Sequence, residues 1–564
     1  MLFFFLDALS LCRDQVMQSP RTPIRLDDET KDNIARALWM TRFEEDQLPK
    51  SILNQLVSYK NSNEAFGERM QYRLRDLLNH PDSFTPGYRK RYETLIEHSR
   101  SLSPHQVYAM TTLLGLDSSR GYQEIPEKAD IQFPRDHPPQ FRHQVGWHFI
   151  VGSCTGRSGK EYGVEVVFWQ YALLPSSIAE HFGLSDLENQ ILELQLAVSE
   201  AGDRHYQAKP VVVAGTTGLV EFAEDPFTYR IGKNVIRSLQ KGSLFPLQLQ
   251  AKGADLGVDP PVEIGADLAF SSAKKPFLQG KNGCTPCCGG VGTLYYSIPN
   301  LKLNPVESKL RLKGEEVTLT GGKFWFDHQW CTGFMPSGNP KSVVLRAATN
   351  LAKPSPGGWD WFMAQFDDDR ELTMAAPHTN DRLEFYMQTG ASPPGTMSVE
   401  VTGKFVGEDS NVTEARGTLN VTEWRKSAKS VDPGEYNVTG TWYPNKWESR
   451  FGPEVPEDIR NFSMTPIVQG GQTAFFGHGP EYSEGAVYLR DEKGRLVGRG
   501  FAESTAYADT MKLTLRFAGL PVSQEMLELV RRPSPSRLLK IWSLLYVNWP
   551  PQKAELMRLL PSCT

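Results

Sequence analysis

Gly321-Gly-Lys-Phe-Trp-Phe-Asp-His-Gln-Trp330 sets a carboxylate and an imidazole among large aromatic rings, and Gly357-Gly-Trp-Asp-Trp-Phe362 repeats the device with Asp360 between two tryptophans. Both stretches are rich in aromatic residues and read as strands over 323–330 and 359–366. Side chains alternate along a strand. Phe324, Phe326, His328 and Trp330 therefore share one face, and Trp325, Asp327 and Gln329 share the other. Asp327 and His328 cannot both enter one cavity; one serves a site and the other anchors it from behind. In the second strand Asp360, Phe362, Ala364 and Phe366 lie opposite Trp359, Trp361 and Met363. A carboxyl buried among rings keeps its proton more readily than one in water, as an acid catalyst at neutral pH must. The same clusters also read as core rings around a hydrogen-bonded polar pair, and spacing alone does not choose.

Outward from these stretches, strands are dense. On the N-terminal side they are expected from about residue 140, where Tyr162, Val164, Val166 and Phe168 alternate, then at 210–222, 293–298 and 308–320. Between them, Leu184, Leu187, Ile191, Leu194 and Val198 have helical spacing and predict a helical insertion over 176–205, and the Gly/Pro/Lys-rich 252–292 reads as a long loop with few strands. Further strands are expected at 342–349 and 371–376, with Asp367–Arg370 as a hairpin turn, and a second β-rich section runs over 383–515. Short apolar stripes make 1–130 a helical region, and Met526, Leu527 and Leu529 begin a helical tail over 520–564. That tail can lie on a membrane surface; packing on its own protein is the commoner outcome. The expected organisation is thus mainly β: a first domain over 140–380, a second over 383–515, and helical ends.

Composition narrows the function. The 564 residues are 40% hydrophobic with a net charge of −5, which gives no electrostatic case for nucleic acid. The seven cysteines are sparse and odd in number, so a disulfide framework is not expected. Cys284-Thr-Pro-Cys287-Cys288 has CxxC spacing without a second pair at zinc-finger distance, and reads best as loop thiols. Met1–Cys12 is apolar but too short to span a bilayer. These features favour a cytoplasmic or peripheral-membrane setting over secretion without fixing the compartment. Phosphate-binding glycine loops and a Gly-x-Ser-x-Gly elbow are absent from the sequence, and no cofactor is signalled.

Several phrases stand in a telling order: Gly146-Trp-His-Phe149, Glu161-Tyr-Gly-Val-Glu-Val-Val-Phe168, Leu294-Tyr-Tyr-Ser-Ile-Pro299, the two aromatic–carboxyl stretches, and Tyr482-Ser-Glu-Gly-Ala-Val487. This order resembles the hydroxyneurosporene synthase, or AttH-like, family over roughly 140–510. That family includes carotenoid hydratases and is similar to kievitone hydratase and fungal lipocalin-like Diels-Alderases. The resemblance implies two tandem lipocalin-like β-barrels or bent sandwiches around an apolar ligand. It also implies a His-x-Trp pair with a nearby aspartate, carried here by His328, Trp330 and Asp360. The aspartate's usual aromatic companion falls on Gly358, so Asp327 stays a candidate acid. Trp330, Trp325, Trp359, Trp361, Phe326 and Tyr296 are the expected substrate-binding rings. The implied activity is cofactor-independent addition of water to a C=C bond of a hydrophobic polyene. A Diels-Alderase-like cyclase and a non-catalytic carrier of a hydrophobic ligand are the alternatives.

Overall fold

The computed structural model describes residues 123–505, except 124, 127, 173–184, 216–218, 256–259, 286–291, 333–355, 380–396, 427–441, 469–471 and 476–480. The expected helical tail, nearly all of the expected helical region 1–130, and the strand expected at 342–349 lie outside these residues.

The chain builds two antiparallel sheets. The first begins with the hairpin β1 (Val145–Gly156) and β2 (Glu161–Ala172), then β3 (Gln190–Glu200), β4 (His205–Gln207) and β5 (Val211–Ala214). It continues through β6 (Val220–Ala223), β7 (Thr228–Ile231), β8 (Asn234–Ser238), β9 (Leu247–Ala254) and β10 (Glu263–Ser272). The short β11 (Phe277–Leu278) and β12 (Cys284–Thr285) precede β13 (Thr293–Leu303), β14 (Lys309–Leu312) and the long β15 (Glu315–Cys331). The spatial order is β4-β3-β2-β1-β15-β13-β10-β9-β8-β7-β6. The sheet curls until Ala208, just beyond β4, bridges Asp255 at the end of β9.

Its inner face closes on one core that includes Ile150, Val166, Phe168, Leu249, Phe324 and Phe326. The outer face of β1, β2 and β15 is also covered: Val151, Val167, Trp169 and Trp325 pack against Trp361, Met363, Ala486 and Phe501 of the second sheet. Burial on both sides explains why Val-Gly-Trp-His-Phe-Ile-Val in β1 is almost continuously apolar.

The second sheet contains β16 (Pro356–Phe366), β17 (Glu371–Thr379), β18 (Met397–Val406), β19 (Val412–Lys426) and β20 (Trp442–Phe451). It ends with β21 (Asn461–Pro466), β22 (Thr473–Phe475), β23 (Glu481–Asp491) and β24 (Leu496–Ser504). Because β21 pairs with both β20 and β23, eight of these strands close into a barrel. Phe362, Met374, Phe405, Trp447, Phe451 and Phe462 fill its interior, as side chains do in an eight-stranded barrel. The expected turn at Asp367–Arg370 joins β16 to β17, with Asp369 at φ 62°, a conformation aspartate tolerates better than most residues.

Three expectations are corrected. Residues 190–207 form β3 and β4 rather than a helical insertion. Leu192, Leu194, Leu196 and Val198 enter the first core with a period of two, while Glu193 and Gln195 are buried on the other face, where Gln195 donates to Glu193 at 2.7 Å. Residues 252–292 contain the ten-residue strand β10 rather than mostly loop. The boundary between the two units lies between Cys331 and Pro356, not near 380, because β16 and β17 pair only within the second sheet. Periodicity reveals which side of a strand is buried and says nothing of the sheet it joins.

The units meet closely. Lys274, partly buried, donates from Nζ to Glu371 Oε2 at 2.7 Å and to the Gly407 carbonyl at 2.8 Å, and Gln365 donates to the Phe324 carbonyl at 3.1 Å. At Gly163 on β2, a Cβ would sit 2.3 Å from the Ala486 Cβ of β23, inside any real contact distance. Gly163→Ala is therefore expected to destabilise the protein by about 1–3 kcal/mol through overpacking. Urea unfolding measures this, and adding Ala486→Gly should return part of the loss. An unchanged urea midpoint in Gly163→Ala would show that the sheets do not meet this tightly.

Candidate active site between the two sheets

A cavity of about 130 Å³ lies where the outer face of the first sheet meets the barrel. Trp147 and Phe149 of β1, Trp169 of β2, and Tyr295 of β13 supply one wall, with Asp327 and Gln329 of β15. Trp359 and Trp361 of β16, Tyr482 and Glu484 of β23, and Glu503 of β24 supply the other. Aromatic rings therefore surround carboxyl groups presented from both sides.

Asp327 sits at the centre of a donor set created by strand register. It lies opposite Ser297 on β13. Trp325 Nε1 donates to Asp327 Oδ1 at 2.6 Å and Ser297 Oγ donates to the same oxygen at 2.5 Å. The Tyr295 hydroxyl donates to Oδ2 at 2.5 Å, and Trp361 Nε1, from the other wall, donates to that hydroxyl at 3.0 Å. Burial pushes the Asp327 carboxyl up to about 7, against the opposing pull of its three donors. The group is thus poised between its protonated and ionised forms near neutral pH.

The second wall brings together acids that sequence reading missed. Glu484 and Glu503 face each other directly across β23 and β24. Trp359 Nε1 donates to Glu503 Oε2 at 2.9 Å. From the first sheet, Glu165 Oε1 accepts from the Tyr482 hydroxyl at 3.1 Å. Burial raises Glu165 and Glu503 to about 8, and raises Glu484 well above the usual carboxylate range. The only sequence signal was glutamate alternating with apolar residues in two strands, which is also the pattern of an ordinary solvent-facing side.

His328 turns the other way, into the first sheet's inner core. Its ring stacks on His148 with centroids 3.8 Å apart and lies 4.5 Å from the Trp330 ring. His328 Nδ1 is 3.1 Å from the Asp136 carbonyl, while the buried Nε2 has no hydrogen-bond partner among the described residues. Burial holds the His328 pKa well below the ordinary histidine value, so the ring is neutral. Phe326, Tyr296 and Trp330 share that inner side. Asp360 is buried on the strand face shared with Phe362 and Ala364, whose side chains pack inside the barrel. The structure thus gathers Asp327, Trp359 and Trp361 in the cavity, sets Trp325 behind Asp327 as a donor, and keeps His328, Trp330, Phe326, Tyr296 and Asp360 away from its lining. Among the described residues, no three His, Cys, Asp or Glu side chains converge as metal ligands.

Comparison with known proteins places the chain in a family. A family model described as AttH-like matches residues 124–507. Among solved structures, one described as an AttH from Nitrosomonas europaea is similar at 17% identity and a TM-score of 0.47, covering 68% of this chain and 98% of that one. Kievitone hydratase from Nectria haematococca is similar at 13% identity and a TM-score of 0.42, covering 68% of this chain and 96% of its own. No curated protein matches. Since the family match takes in both sheets and every residue that lines the cavity, the chain belongs to the AttH-like family.

Proposed function

We propose that this protein is a cofactor-independent hydratase that adds water to a C=C bond of a hydrophobic, polyene- or isoprenoid-like substrate. The observation that carries this reading is Asp327, a carboxyl raised to about 7 at the edge of a cavity walled by tryptophans. The curled sheet and the closed barrel act as tandem lipocalin-like units, with the ligand held between them. The cavity volume of about 130 Å³ suits the reacting segment of a long apolar molecule rather than the whole of it.

The chemistry follows from the donor set. Asp327 Oδ1 is occupied by Trp325 and Ser297, so the acidic proton belongs on Oδ2, beside the Tyr295 oxygen. Tyr295 also lines the cavity and passes its own hydroxyl proton to the alkene as Asp327 replaces it. The carbocation that forms faces the Trp359 and Trp361 rings, whose π-electrons favour positive charge. Water then adds to the cation. His328, neutral and packed on His148, anchors β15 from behind the acid. We assign no proton transfer to Asp360, which shares the barrel-facing side of β16.

Purified protein incubated with acyclic carotenoids and other polyenes in water enriched in heavy oxygen tests this reading. Wild type and Asp360→Asn should yield a product carrying one labelled oxygen, while Asp327→Asn and Tyr295→Phe should lose about 10²- to 10⁴-fold in rate. A rearranged product of unchanged mass would favour a cyclase instead, and binding without any product would favour a carrier.

The pH dependence has a definite sign. The protonated form of Asp327 is the active one, so kcat/KM should carry a descending limb as the Asp327 proton is lost with rising pH. Absence of that limb from wild type, at any pH at which the protein stays folded, would remove Asp327 from the acid role.

A further inference from the structure

Water addition needs a proton acceptor as well as a proton donor, and the cavity contains a pair of groups suited to it. Glu484 and Glu503 are direct partners on adjacent antiparallel strands, so their side chains rise side by side from one face of the sheet. Both line the cavity on the wall opposite Asp327. Glu484 is 1% exposed, and its Oε1 has no hydrogen-bond partner among the described residues. Neither residue forms an ion pair there; the charged groups that act on one or both are Glu165, Asp327 and Asp360, and Glu414 and Tyr482 lie in the same lining. Two carboxylates in such surroundings cannot both ionise, so the pair carries one negative charge at most and holds a proton.

We propose that Glu484 and Glu503 act as a carboxyl pair sharing one proton, and that this pair is the general base that deprotonates the attacking water. The proposal rests on the hydratase reading and completes its proton balance. Asp327, through Tyr295, forms the new C–H bond with the alkene's π-electron pair. The oxygen of water forms the C–O bond with the resulting cation. One O–H bond of that water breaks, and its proton goes to the mono-anionic Glu484–Glu503 pair. The sum is addition of one water molecule; Asp327 is left ionised and the pair doubly protonated, and both return to their starting states when the product leaves and solvent enters. Trp359, which donates to Glu503 Oε2, orients the pair beneath the ring that faces the cation. Donor and acceptor on opposite walls are the arrangement by which inverting glycosidases place a protonated acid on one side of the reacting carbon and a water-activating base on the other.

Full-length wild type, Glu484→Gln, Glu503→Gln and Asp327→Asn would be compared on the same polyene panel in deuterium oxide. Glutamine matches the shape and neutrality of a protonated glutamate, so these variants should fold. The two glutamine variants should form hydrate at least about 10²-fold more slowly, yet still wash deuterium into recovered or double-bond-shifted alkene. Asp327→Asn should lose both signals. Hydrate formation within threefold of wild type in either glutamine variant, or parallel loss of exchange and hydration, would overturn the base role. A wild type that neither hydrates nor exchanges any member of the panel would overturn the hydratase reading and the base role together. Infrared difference spectra of the free protein judge the shared proton separately. A protonated-carboxyl band present at neutral pH and diminished in each glutamine variant is expected, and its absence from wild type would overturn the pair itself.

Discussion

The hydrogen-bonded ladder of β15 between β1 and β13 is the constraint on which the rest of the structure depends. Its register sets Asp327 opposite Phe149 and Ser297, and His328 opposite His148 and Tyr296. The donors that hold the Asp327 carboxyl are thus delivered by strand pairing rather than by a loop. A slip of one residue would exchange both faces, sending Asp327 into the first core and His328 into the cleft. Both faces of β15 are covered by packed side chains, so such a slip would lose two sets of contacts at once. The same ladder therefore secures the fold and aims the acid.

Burying carboxyl groups is unfavourable, and the protein treats its buried acids in different ways. Burial works against ionisation of Glu200, yet hydrogen bonds from Lys160 and Lys313 hold it down to about 2. Glu371 is raised to about 7 by burial, with Lys274 opposing the shift and tying the two units together. Among the described residues, the cleft acids have no such cations. Asp327 has three neutral donors, Glu503 has one, and Glu484 Oε1 has none among the described residues. A buried carboxyl thus serves as a lysine-paired charge, an interdomain tie or a proton reservoir, according to what surrounds it. The stability forgone by keeping the cleft acids unpaired is what leaves them able to exchange protons.

The two units also divide the work of holding a ligand. The barrel's interior is filled by aromatic and aliphatic side chains. The space lies instead between its outer wall and the first sheet, where large tryptophans hold the surfaces apart beside places where Gly163 and Ala486 bring them together. Contact and gap alternate across one interface, so the pocket's shape depends on the docking of the two sheets and not on either alone.

The chain's local chemistry was legible along its length. Alternation in 324–330 and 359–366 correctly divided each strand into two faces, and the described residues of the expected second β-rich section are strands for the most part, because side-chain alternation is a property of any extended backbone. The separation of Asp327 from His328 was implied by the same rule. The strand β3 was misread because Leu187, Ile191, Leu194 and Val198 also fall at helical spacing, although Leu192, Leu194 and Leu196 alternate with Glu193 and Gln195 as in a strand. The sequence by itself determined which residues could be buried, which share a face, and that carboxyl groups would sit among rings. Only the tertiary structure decided that Trp361 and Asp327 belong to opposite walls of one cavity, that Asp360 turns to the barrel side, and that Glu484 meets Glu503 under cover. Those facts depend on pairings between residues far apart in the chain, whose energies come from register, enclosure and the low polarity of an interface that exists only once both sheets have formed.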